Sequence, residues 1–363
     1  MKTISYFFLR SLMVAALALT ASFSLHAMPV AMAAVDAVQT MNLRLGNGRI
    51  VYFEYLKASQ KGAATFLLLP GVNRSLLLSE AGPQALVKRG YGVVTMNFSV
   101  QPFSVNALAG NEVPFFMNQS PSLKDLAVEV EALAKDLREQ FQTGEVIPVS
   151  LSYSGAVSPY LKNFPLVIDT VPLTSGPAQN PQLEQYRQSL KLGELWNPFF
   201  GPGITRSLLD QAYRQKWADQ VDSISKQFDF SADRRSQMIE GYTTLSRATE
   251  GYEWDVKLLP INTRRVFLFA GDESKSLLEH QVATFLKIYS QDAKSLVFIV
   301  KKSGHLIPGD QPEFYGSILD VVAQGKTQGM GGVVEVDPET RQTRNFVGAQ
   351  ATSYLQDLVN SKK

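Results

Sequence analysis

The chain has 363 residues, with three histidines and no cysteine, so a reaction that needs a side-chain base or nucleophile has few places to find one. His26 falls in an apolar N-terminal stretch, which leaves His280 and His305. His280 sits within a helical pattern (Leu277, Leu278, Val282, Phe285) and reads as a surface or packing residue. His305 lies in Ser-Gly-His-Leu-Ile-Pro (Ser303 to Pro308), directly after the apolar run Ser295–Val300, on a loop where an imidazole can carry a proton. Upstream, Ser150-Leu151-Ser152-Tyr153-Ser154-Gly155-Ala156 links a buried strand to a helix. A serine on such a sharp turn exposes its Oγ at the top of a sheet, within reach of a base. The turn crowds the residues two before and two after it; glycine is usual there, and here both are serine, small enough to fit. Ser152 is therefore the favoured nucleophile, with Gly155 placed where a further glycine often follows. Ser154, between Ser152 and Ala156, is the rival, and the plainer alternative is that these serines only satisfy a helix N-terminus.

The elements that must hold these residues alternate along the chain. Met41–Leu45 and Ile50–Tyr55 flank Gly46-Asn47-Gly48 and predict a hairpin. Short continuous apolar runs at Ala64–Leu69, Gly92–Met96, Val146–Ser150, Pro165–Val171, Arg265–Ala270 and Ser295–Val300 read as parallel strands buried on both faces. Between them, Ser79–Arg89, Leu123–Phe141, Gly155–Lys162, Leu277–Tyr289 and Pro312–Ala323 read as helices. This order predicts an α/β fold: a mainly parallel central sheet with helices on both faces. Residues 176–255 are richer in polar and aromatic residues, with helical stretches at Ser207–Gln220 and Arg234–Arg247, and read as a helical cap inserted above one edge of the sheet. The core is then 34–175 and 256–324. Residues 325–363 read as an appended glycine-rich loop, a hairpin (Val333–Val336, Thr343–Val347) and a terminal helix at Ala351–Asn360.

With this order of elements and the turn at Ser152, the chain resembles the α/β-hydrolase superfamily over residues 41–323. The resemblance implies a serine hydrolase in which His305 takes and returns the Ser152 proton and an acid between them orients the imidazole. That acid follows Arg265–Ala270 in Gly271-Asp272-Glu273-Ser274. In many members it stands three residues after such a glycine, a position held here by Ser274. Asp272 is the commoner residue type and is slightly favoured, while Glu273 has the closer spacing. The resemblance also assigns an oxyanion hole to the backbone amides of Val72, in Leu69-Pro70-Gly71-Val72-Asn73-Arg74-Ser75, and of Tyr153. A cluster of Phe103, Phe115, Phe116 and Met117 on the loop after Gly92–Met96 is the candidate lining of an acyl or aromatic pocket, or equally core beneath the cap. No cofactor or metal is implied. The expected substrate is an ester or thioester of modest size with an apolar acyl part. A peptidase that captures a free amine with acids such as Glu194, Asp210, Asp219 or Glu250 is one alternative, and a non-catalytic envelope protein on the same scaffold is another.

Composition bounds the setting. An apolar content of 45% and a charged content of 19% suit a globular chain with a substantial core. Lys2 and Arg10, the apolar Ser11–Leu25 and a small-residue site at Ala31-Met32-Ala33 read as a secretory signal over 1–33, too short for a comfortable membrane span; an uncleaved anchor is the competing reading. Two of the 35 basic residues leave with that leader, matching the rest to the 33 acidic ones, and a neutral chain has no footprint for nucleic acid. Without cysteine there are no disulfides and no thiolate metal sites. Glycans at Asn73 or Asn97 would obstruct the expected site, so bacterial export to the periplasm or medium is the expected route.

Overall fold

The computed structural model describes residues 38–362, apart from 61, 74–75, 102–103, 105–120, 198–200, 226–231 and 261. The expected leader and the cluster Phe103, Phe115, Phe116 and Met117 lie outside the described residues. Ten strands form one sheet: β1 Gln39–Arg44, β2 Ile50–Leu56, β3 Thr65–Leu68, β4 Gly92–Met96, β5 Val146–Leu151, β6 Leu166–Thr170, β7 Arg264–Ala270, β8 Leu296–Val300, β9 Gly332–Asp337 and β10 Gln342–Phe346. Their spatial order is β1-β2-β4-β3-β5-β6-β7-β8-β9-β10. β1, β2 and β4 pair antiparallel at one edge and β9 with β10 at the other; every pair between them is parallel.

The continuous apolar runs are what a parallel sheet requires, since both of its faces are covered. Side chains alternate across the pleat, so Leu67 and Leu69 enter one buried cluster while Phe66 and Leu68 enter the other. Helices α2 (Leu123–Gln140) and α8 (Lys275–Gln291) feed the first cluster; α1 (Ala81–Val87), the short α9 (Ile307–Asp310) and α10 (Pro312–Ala323) feed the second. Ser122 and Asp125 close a capping box that starts α2.

The structure departs from the sequence expectations at three places. The helix expected over Gly155–Lys162 is only α3 (Ser154–Val157) followed by a 3₁₀ turn, because Pro159 lacks an amide to continue the ladder. The C-terminal hairpin is not an appendage: β9 pairs with β8 in parallel, five of its six residues (Gly332–Val336) are buried, and α11 (Ala349–Asn360) packs Ala351 and Leu355 into the core. Among the described residues the cap segment holds four helices, α4 (Gly176–Gln179), α5 (Pro181–Trp196), α6 (Pro202–Ser225) and α7 (Ala232–Ala248), where two were expected. Its ends lie side by side: Ser175 bridges Glu253, the Gly176 amide donates to the Tyr252 carbonyl at 2.7 Å, and that of Trp254 to Thr174 at 2.9 Å. A small core of Trp217, Val221, Met238, Ile239 and Tyr242 joins α6 to α7 and packs on Val72. Among the described residues no helix is long and apolar enough to cross a membrane.

Candidate active site

The site gathers on the loops at the carboxyl ends of β5, β7 and β8, where functional groups collect in open α/β sheets. Beyond β5 the chain reverses at Ser152, whose φ of 53° lies in the left-handed region. A non-glycine residue there is uncommon and costs about 1–3 kcal/mol. The neighbours hold it: the Ser152 amide donates to the Thr170 carbonyl at 3.1 Å, and its own carbonyl accepts from Gly155 and Leu173 at 2.9 and 2.8 Å. Gly155 is required by close approach, since a Cβ there would stand 2.4 Å from that of Pro172. Val171 and Lys302, after β6 and β8, also have positive φ, at 40° and 54°. Backbone strain thus collects along the sheet edge that carries the site.

The two serines that replace the usual glycines are buried and occupied. Ser150 Oγ donates to Asp169 Oδ1 at 2.8 Å, and Asp169 in turn meets Arg265 at 3.1 Å. Ser154 Oγ accepts from the Leu151 amide at 2.7 Å and donates to the Leu151 carbonyl at 3.1 Å. Ser154 is therefore a turn staple with no access to the cleft.

Ser152 Oγ lies 2.8 Å from His305 Nε2, and His305 Nδ1 lies 2.5 Å from Glu273 Oε2. An ionised carboxylate only accepts, so Nδ1 carries the imidazole proton and donates it, leaving Nε2 to accept from the serine hydroxyl. Glu273 is buried at 5% exposure. Desolvation pushes its carboxyl up, but the hydrogen bond and charge of His305 and the Ser274 amide at 2.8 Å outweigh that and hold it below the ordinary value.

The slight preference for Asp272 is corrected. Its side chain is 63% exposed and faces Lys362 Nζ at 3.4 Å, while it is Glu273 that meets His305. Glu273 stands one residue short of the family's usual position, and its additional methylene makes up the reach. The acid and histidine loops are tied to each other. Asp272 donates its amide to Ser303 at 2.9 Å, and a Cβ on Gly271 would stand 2.8 Å from the Lys301 backbone.

A cleft of about 200 Å³ opens over Ser152. Val72, Asn73, Tyr153, Leu173, Leu277 and His305 line it from the core, and Lys216, Trp217 and Gln220 from α6 of the cap. The amides of Val72 and Tyr153 are paired with no described residue. Gln101 Nε2 fixes the Val72 loop by donating to the carbonyls of Gly71 and Val72 at 2.8 and 3.2 Å. The cap holds the loop after Val72 and the Tyr153 side chain: Tyr242 donates its hydroxyl to the Asn73 carbonyl at 3.3 Å, and Tyr153 donates its own to the Leu245 carbonyl of α7 at 2.9 Å. Sequence reasoning missed the α6 residues, since nothing in the alternation of elements says which cap helix descends onto the serine. Of the four acids weighed for amine capture, none lines this cleft, and Asp210 and Glu250 are held by arginines. Among the described residues no cluster of three His, Asp or Glu could hold a metal ion.

Solved structures share this fold over most of the chain. An esterase from Exiguobacterium antarcticum superposes with a TM-score of 0.53 at 12% identity, covering 79% of this chain and 100% of its own. A carboxylesterase from Nitrososphaera gargenis gives 0.52 at 14% identity over 79% and 100%, and a thermophilic esterase from Thermogutta terrifontis gives 0.50 at 15% over 80% and 99%. No protein-family model and no curated protein sequence matches. The chain has the α/β-hydrolase fold.

Proposed function

We propose that this protein is a serine hydrolase that cleaves a small carboxylic ester or thioester through an acyl-enzyme. The observation that carries the reading is the unbroken relay from Ser152 Oγ to His305 Nε2 at 2.8 Å and from His305 Nδ1 to Glu273 at 2.5 Å. In the reaction, Ser152 attacks the carbonyl carbon as His305 takes its proton, and the imidazolium gains the Glu273 charge beside it. The amides of Val72 and Tyr153 receive the developing oxyanion. His305 returns the proton to the departing alkoxide, and water activated by the same imidazole then cleaves the acyl-serine bond. The strained serine, its bonded flanking residues and the cleft above it favour catalysis over a purely structural use of the scaffold. The three esterases above have the same fold, which is consistent with this reading.

The test is turnover of short-chain 4-nitrophenyl esters by the wild type, Ser152→Ala and His305→Ala. Either substitution is expected to lower kcat by at least about 10³-fold. Turnover that survives both removes these residues from the mechanism. The N-terminal segment supports a place in the periplasm or outside the cell. A mature chain beginning at Ala34 in the exported fraction is the expected result, and a cell-bound chain that keeps its first residues would contradict it.

A further inference from the structure

Lys216 is the one cation of the cap that reaches the cleft above Ser152, among the described residues, and the mechanism does not use it. It lies between two cavities. In the smaller one it shares the walls with Glu184, Tyr213 and Glu250, but Glu184 is bound by Arg187 and Glu250 meets Arg206 at 3.4 Å. Lys216 itself makes no hydrogen bond or ion pair with a described residue; its ammonium lies 4.7 Å from the ring centroid of Trp217, which lines the same cleft. Burial alone pushes that ammonium down to about 8, with no carboxylate close enough to hold it up. Among the described residues the one carboxylate at the site, Glu273, is committed to His305. Of the other walls, Val72, Leu173, Trp217 and Leu277 are apolar, and Asn73, Tyr153 and Gln220 carry no formal charge.

A half-desolvated cation without a counter-ion is a cost to the empty protein that a bound anion recovers. The cleft therefore offers three features together: a nucleophile, a short apolar stretch of wall and, on the cap side, a positive charge that no described residue matches. The geometry points to an ester substrate whose acyl part ends in a carboxylate, with Lys216 pairing that carboxylate while Ser152 attacks the ester carbonyl. This rests on the hydrolase reading above and narrows it to a substrate class. The small volume agrees, being below the usual range for a drug-sized ligand and suited to a short dicarboxylic half-ester.

The experiment compares the mono-4-nitrophenyl ester of adipic acid with 4-nitrophenyl heptanoate, an uncharged acyl chain of matching length, in the wild type, Lys216→Met and Lys216→Arg. Labelling with a fluorophosphonate probe reports whether the triad of each protein is intact. The expected result is a kcat/KM ratio of about tenfold or more in favour of the charged ester, lost in Lys216→Met and largely retained in Lys216→Arg. A wild-type preference for the heptanoate, or a Lys216→Met protein that labels and keeps the wild-type ratio, overturns the inference and leaves the hydrolase reading standing. A folded protein that neither labels nor turns over either ester overturns both.

Discussion

At the scale of single residues, two adjacent acids have opposite environments. Glu273 is buried against His305, and Asp272 is exposed beside Lys362. Glu273→Ala is expected to lower kcat/KM by about 10²- to 10⁴-fold by freeing the imidazole's tautomer and orientation, whereas Asp272→Ala stays within a few-fold. Steady-state kinetics on one ester decides between them. Protonation gives a second check. Because the Glu273 carboxyl is held below its ordinary value, its ionised form stabilises the fold above about pH 4.3, the unfolded value, and this contribution is lost as pH falls through the lower folded value. The gap in urea midpoint between the wild type and Glu273→Gln is thus expected to be larger at neutral pH and to shrink in acid. A gap independent of pH would disconnect the carboxylate's charge from stability.

At the scale of elements, the sharp turn between β5 and α3 depends on space as much as on bonding. Gly155→Val places a branched side chain where even a Cβ meets Pro172, so it is expected to cost about 1–3 kcal/mol and to disturb the Ser152 backbone. The thermal midpoint and ester turnover should fall together; a midpoint that falls alone would mean the turn tolerates the shift. This turn was readable in the sequence because it sits between strong signals, an apolar strand and a following helix. The same holds for His305 after β8. Helix α5 was not readable: Leu190 is its one buried residue, so it has no apolar stripe for periodicity to detect. The start of α6 was hidden for another reason. Gly201-Pro202-Gly203 looks like a loop, yet proline is well suited to the first turn of a helix, where its missing amide costs nothing. The acid was left between two residues because spacing from Gly271 fixes a position along the chain, while reach depends on side-chain length and on how the loop packs against Lys301.

At the scale of the whole molecule, the C-terminal region is part of the sheet that carries the site. β9 is an interior strand between β8 and β10, and it closes the sheet beside the strand that leads to His305. α11 adds to the core, and from the residues just beyond it Lys362 donates to the Gly271 carbonyl at the start of the acid loop. Its sequence could not reveal this, since a hairpin pattern is the same whether the hairpin stands alone or docks on a sheet. A chain ending before Gly332 would expose the edge of β8 and the apolar residues that β9 covers. It is expected to lose cooperative unfolding, as followed by circular dichroism, and to aggregate. A truncated protein that melts like the full chain would restore the view of this region as an appendage.

The central claim, that Ser152 is an activated nucleophile, is tested most directly by reacting the purified protein with a fluorophosphonate and mapping the adduct by peptide mass spectrometry. The account predicts a single adduct on Ser152, absent from Ser152→Ala. An adduct on Ser154, or no adduct on a folded wild-type protein, would contradict it.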